Sequence, residues 1–207
     1  VDSLLYHMSR VMHWIQNASV AHYPTHILRQ LELNPWTEFA FTHLYLLSDS
    51  DRFVNLVQWI SMLGSLIGVS LIAREFGLGR TGQIITAVVC ATIPMGILQA
   101  SSAKNDYVVA FWLVTFVYFG MRALVKPDWL HFLAVGGSLG LALLTKGTAY
   151  LFAFPFIVLF LFSHFKSYQG KYIPLWVAAV ALTFFINLGH SIRNYMLFSN
   201  PLHSGEN

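Results

Sequence analysis

The stretch VNLVQWISMLGSLIGVSLIA, Val54 to Ala73, decides how this chain is read: its 20 residues include no Asp, Glu, Lys or Arg. As a helix it would be about 30 Å long, the thickness of a bilayer's hydrocarbon core. Five more apolar stretches lie beyond it: Thr81 to Ala100, Tyr107 to Met121, Trp129 to Leu144, Ala149 to Ser163 and Tyr172 to Leu188. Several fall short of the ~20 residues that cross the core and must borrow aromatic or polar flanks. Of 207 residues 56% are hydrophobic and 10% charged, with a mean hydropathy of +0.59; an ordinary soluble domain carries about 25% charged residues. The expected fold is therefore an all-α membrane protein with about six transmembrane helices. The lone cysteine, Cys90, sits inside an apolar run, which excludes a disulfide framework and a thiolate metal site.

Basic residues set the expected orientation, because cytoplasmic loops collect Lys and Arg. Three very short connections carry Arg74 and Arg80, Arg122 and Lys126, and Lys166 and Lys171. The alternate connections hold only Lys104, Lys146 and Arg193. With the first set cytoplasmic, seven of the nine acids face outward: Asp2, Glu32, Glu38, Asp49, Asp51, Asp106 and Glu206. The net charge of +3 follows from this topology and gives no reason to expect a nucleic-acid partner.

Ahead of the spans, Leu4, Leu5, Met8, Val11, Met12 and Ile15 recur at helical spacing with His7, Arg10, His13 and Gln16 between them. That pattern predicts an amphipathic helix lying along the membrane interface. A second is predicted after Pro35, with Trp36, Phe39, Ala40, His43, Leu44 and Leu47 on one side. The expected organisation is an extracytoplasmic loop with two juxtamembrane helices over 1–53, a six-helix bundle over 54–189 and an extracytoplasmic tail over 190–207. The chain opens at Val1 and Asp2 without a signal-peptide pattern and is expected to be a fragment.

Asp2 heads the pattern Asp-x-x-x-Tyr-His-x-x-Arg, which gathers Tyr6, His7 and Arg10 within three turns. It reads either as a helix N-cap or as a reactive carboxylate. Lys104, Asn105 and Asp106 stand at the junction of two apolar stretches, as interfacial anchors or as part of a site. Lys146, in Leu-Leu-Thr-Lys-Gly, has almost no loop around it. Its amine either snorkels or takes a phosphate or carboxylate partner. Arg193 could hold a phosphate through a bidentate fork or anchor a helix end. His22 and His26 have helical i,i+4 spacing, but Pro24 between them argues against a helical metal site, and no His-Glu-x-x-His motif occurs.

Together these residues resemble polytopic glycosyltransferases of the GT-C class, in the branch of the protein O-mannosyltransferases and the lipid A aminoarabinose transferase. The likeness rests on Asp2 with Tyr6 four residues on, two juxtamembrane helices, Asp106 in the next outer loop, the Thr145 to Gly147 turn, and Arg193 to Tyr195 followed by Asn200-Pro201. Where many relatives have a second acid beside the first, Ser3 stands here. The resemblance implies transfer of a sugar from a polyprenyl-phosphate carrier to a glycan, lipid or protein acceptor at the outer membrane face, usually with inversion. It implies Asp2 as general base and Asp106 as a second acid orienting acceptor or sugar. Lys146 and Arg193, with Lys104, Arg10, Tyr6 and His7 behind them, would bind substrate or lipid phosphate. A bacterial inner membrane is the expected location; no particular cofactor is expected, and a divalent metal stays open. A transporter or flippase, or a non-catalytic membrane subunit, is the alternative. Transporters place polar groups and broken helices at mid-membrane and often show inverted repeats, whereas here the ionisable residues cluster at helix ends and no repeat is visible.

Overall fold

Residues 3–200 are described in a computed structural model, and every regular element among them is a helix. The predicted Asp2 therefore lies outside the described residues. The chain enters through a π-helical turn, Ser3–His7, and continues as α1 (Met8–Gln16). A short α2 (Arg29–Glu32) follows, and α3 (Trp36–Ser48) starts directly after Pro35, whose fixed φ suits a helix start. These form a roof over one end of the bundle.

α1 is amphipathic and α3 much less so, and the faces they bury are not those expected from periodicity. α1 and the turn before it bury His7, Arg10, Val11 and Trp14, while Leu4 is 76% exposed. α3 buries Thr37, Glu38 and Phe41 and leaves Leu46 and Leu47 outside. Polar groups thus turn inward against one another. The exposed leucines are what an interfacial helix offers to the acyl boundary of a bilayer.

All six apolar stretches are helical. α4 (Leu56–Glu75) is followed by α5 (Arg80–Ala91) and α6 (Pro94–Ala100), which are bent by 71° where Pro94 denies the ladder its N–H. Then come α7 (Asp106–Val125), α8 (Trp129–Thr145), α9 (Ala149–Tyr168) and α10 (Ile173–Phe198). Among the described residues four helices are long and apolar enough to cross a membrane, or five if the bent pair counts as one span. α8, with 17 residues, is about 25 Å long and below that length. It is also the most buried, packed between α7 and α10, so protein covers the faces that lipid would otherwise meet. α10 runs to Phe198, past the expected end of the bundle at 189.

Small residues let α8 and α10 touch. A Cβ on Gly136 would strike the backbone of Ala179, and one on Gly140 would meet Ile186 at 2.8 Å. At that separation Thr183 Oγ1 donates to Gly136 O at 2.9 Å and Asn187 Nδ2 donates to Gly140 O at 3.0 Å. Close approach of backbones and interhelical hydrogen bonds are the main adhesives available inside a membrane. Gly136→Val should therefore separate the two helices and cost about 1–3 kcal/mol. Gly137→Ala is the control, since its new methyl meets only Leu182 at 4.0 Å. Thermal unfolding in detergent should show a clear drop for the first variant and almost none for the second; equal drops would contradict this account of the contact.

Candidate functional site

The roofed end of the bundle gathers the N-terminus of α7 and the C-termini of α8 and α10. Gln58, fully buried near the start of α4, accepts hydrogen bonds at Oε1 from the N–H groups of Tyr107 (2.8 Å) and Val108 (3.2 Å). It caps α7 in place of Asn105, whose side chain is used elsewhere: Asn105 Nδ2 donates to Thr145 O at 3.0 Å. Asn34 Nδ2 donates to Leu143 O at 2.8 Å. The last carbonyls of α8, which have no partner within their own helix, are thus taken up by α7 and the roof.

With both helix ends pinned, Lys146 Nζ lies 2.6 Å from Asp106 Oδ1. The two side chains are 34% and 33% exposed, so the pair can be reached from outside. The carboxylate-or-phosphate partner expected for Lys146 is, in this arrangement, a carboxylate 40 residues earlier in the chain. Lys104 stands half-buried just before α7, two residues from Asp106.

A second grouping lies under the roof. His7 Nδ1 donates to Glu38 Oε1 at 2.8 Å, and Arg10 reaches the same oxygen at 3.7 Å. Each of the three is at most 1% exposed. Arg10 also donates to the carbonyls of Gln30 (2.5 Å), Leu33 (2.9 Å) and Arg29 (3.0 Å), which caps the end of α2. The Tyr6 ring lies against His7 at a tilt of 39°, with centroids 4.0 Å apart. Burial pushes the Glu38 carboxyl up, but Arg10 and His7 together outweigh it and hold the group below its ordinary value of 4.5. Glu38 is therefore ionised.

Arg193 and His190, on α10, close a small polar cleft against Arg10, His22, Tyr23 and Gln30. Arg193 Nη2 donates to Val20 O at 2.7 Å and Asn194 Nδ2 to Glu32 O at 3.1 Å, so α10 also carries the roof. Burial, then Arg193 and Arg10, push His22 down, while burial raises the Tyr23 phenol to about 12. Arg10 and Arg193 are thus the fixed positive charges of this cleft. His22 lies in non-helical chain, as Pro24 suggested, and His26 is exposed. Among the described residues no three of His, Cys, Asp and Glu come together to hold a metal ion.

Several of these residues escaped the sequence reading. His190 gives no local signal, Glu38 reads only as one of the outward acids, and His22 only as half of a metal pair with His26 that Pro24 argues against. Gln58 does give a signal: it is the only amide on the 54–73 run apart from Asn55 at its edge, and a side chain of that kind in an apolar run needs a partner.

The model of the dolichyl-phosphate-mannose-protein mannosyltransferase family matches residues 34–190, three quarters of the chain. The chain belongs to that family. Comparison with curated proteins and with solved structures yields no match. Membership makes this mannosyltransferase-family chain a multi-pass membrane glycosyltransferase of the GT-C type, in keeping with its apolar helices. The matched region contains Asn34, Glu38, Gln58, Asp106 and Lys146; Tyr6, His7, Arg10 and Arg193 fall outside it.

Proposed function

We propose that this chain transfers a sugar from a polyprenyl-phosphate carrier to a hydroxyl of a glycan, lipid or protein acceptor at the roofed end of the bundle, and that this end faces away from the cytoplasm. The observation that carries the reading is the accessible Asp106–Lys146 pair, held at 2.6 Å where two helix ends meet the roof. A lipid phosphate gains negative charge as it leaves, and a preorganised ammonium there acts where that charge develops. In the reaction the acceptor oxygen attacks the anomeric carbon from the side opposite the phosphate. The carbon–oxygen bond to phosphate breaks, its electron pair leaves with the phosphate, and the acceptor proton passes to a carboxylate. A single displacement of this kind inverts the anomeric centre. Asp2 is the assigned base, Asp106 holds Lys146 and orients the acceptor or sugar, and Arg193 supplies a second cation.

Two further features support the reading. An apolar slot of ≈ 660 Å³ opens between α8, α9 and α10, lined by Leu143, Tyr150, Phe184 and Tyr195 among others, close in sequence to Lys146 and suited to a carrier tail. The opposite end of the bundle carries Arg74, Arg80, Arg122, Lys126, Lys166 and Lys171, the pattern of a cytoplasmic face. The test is movement of radiolabelled sugar from polyprenyl-phosphate donors in membranes carrying the full-length protein, wild type beside Asp2→Asn. Label should reach an acceptor with wild type and fall at least about 100-fold in the variant, the usual size of a general-base contribution. Undiminished transfer in Asp2→Asn would remove Asp2 from the chemistry.

A further inference from the structure

The polar cleft where α10 meets the roof is walled by positive charge. Arg10 and Arg193 both line it, together with His22, Tyr23, Gln30 and His190, and no acid is among the described residues of its wall. Arg10 spends three of its five N–H groups on the carbonyls of Gln30, Leu33 and Arg29, which leaves one on Nη1 and one on Nη2. Glu38 does not take them: its Oε1 is 3.7 Å from Nη1, beyond hydrogen-bond reach, and its Oε2 has no hydrogen-bond partner among the described residues. Asn194 Nδ2 donates to His190 Nε2 at 3.3 Å, so the imidazole carries its proton on Nδ1 and adds a neutral N–H donor to the lining. The charge is felt across the cleft, since after burial it is Arg193 and then Arg10 that push His22 down. A concavity walled by one sign of charge concentrates counter-ions.

Size narrows the choice. The free space in the cleft is ≈ 10 Å³, about what a single water molecule needs. Sulfate and phosphate, with four oxygens around a central atom, are too large for it, whereas a halide is close to water in size. Water fills the same space but leaves the charge of the two guanidiniums uncompensated. We infer that the cleft binds one chloride-sized monovalent anion between Arg10 and Arg193. Arg10 belongs to α1 and Arg193 to α10, so the ion turns a repulsion between two like charges into a bridge and clamps the roof to the bundle. It thereby adds to the few bonds that join them, those of Asn34, Arg193 and Asn194. Arg193 is half-buried and remains open on its solvent side to a larger anion, a lipid phosphate included.

The test follows amide exchange of the full-length protein in detergent at constant ionic strength, with sodium gluconate replaced stepwise by sodium chloride. Protection over the roof, residues 3–48, should rise along a saturable curve, by about tenfold at ten times the midpoint concentration, while α4 to α10 change little. Bromide should replace chloride, and sulfate at equal ionic strength should not. Arg193→Gln should abolish the response. That variant also loses the bond to Val20 O and starts from a looser roof, so Ala21→Asp supplies a second measurement. Ala21 lines the cleft, and a carboxylate tethered there should give the chloride-free protein the protection that wild type reaches only with chloride. A wild-type roof indifferent to chloride would mean that water fills the cleft and overturn the proposal. An equal response to sulfate, an undiminished response in Arg193→Gln, or an Ala21→Asp roof that still needs chloride would overturn it as well.

Discussion

Lys146→Ala is expected to lower the rate of sugar transfer by about 10²–10³, the usual effect of deleting one preorganised group from a developing negative charge. Folding should barely notice, because ion pairs with a third of each side chain in solvent contribute only about 0–1 kcal/mol to stability. Transfer and unfolding therefore separate, and the loss can be assigned to chemistry. Lys146→Arg keeps the charge but replaces a compact ammonium by a planar fork, so partial recovery is expected. Asp106 needs a cycle of variants. If it acts only by holding Lys146, then Asp106→Asn costs nothing further once Lys146 is gone. If it also orients the acceptor or sugar, as proposed, the double variant is slower than Lys146→Ala alone. Normal transfer rates in Lys146→Ala, with the protein inserted and folded, would remove this pair from the active site.

The membrane helices were legible because their signal is local: an uncharged run such as Val54 to Ala73 needs no knowledge of the rest of the chain. Pro94 was equally visible, yet it bends the second stretch by 71°, and nothing in the sequence states an angle. α8 was legible as apolar, but its central place between α7 and α10 depends on Gly136 and Gly140 meeting particular residues 43 and 46 positions later, Ala179 and Ile186. The roof shows the limit of periodicity most clearly. His7 and Arg10 read as the wet side of an amphipathic helix, since no apolar environment within α1 favours them. They turn inward because Glu38, 31 residues beyond His7, supplies the counter-charge and α2 supplies carbonyls to Arg10. Lys146 fell between these cases. Its need for an anionic partner was readable from its position, and Asp106 was readable as a candidate, but their pairing rests on Asn105 and Gln58 setting the helix ends.

The buried Glu38 yields the second large prediction, in stability instead of rate. Glu38→Gln keeps the shape and one hydrogen bond to His7 but strips Arg10 of its ion-pair partner among the described residues, at a site where all three side chains are closed to solvent. Removing one member of a buried pair costs about 3–5 kcal/mol, because the other charge stays behind without compensation. A whole domain is stable by only about 5–15 kcal/mol. The roof is joined to the bundle by few bonds, such as those of Asn34, Arg193 and Asn194, so it should open as a unit while α4 to α10 persist. Hydrogen exchange followed by mass spectrometry should show lost protection over residues 3–48 and little change over 56–198. Acidity offers an independent check on the cause. The folded pKa of Glu38 lies below its ordinary 4.5, so the carboxylate's contribution is fully present above that value and is lost as pH falls through the lower, folded one. Wild-type roof protection should accordingly weaken only below about pH 4.5, whereas Glu38→Gln should be loose at neutral pH and lack that acid step. A variant roof as protected as the wild type at neutral pH would mean that the hydrogen bonds of Arg10 to α2, and not its ion pair with Glu38, hold this end of the molecule together.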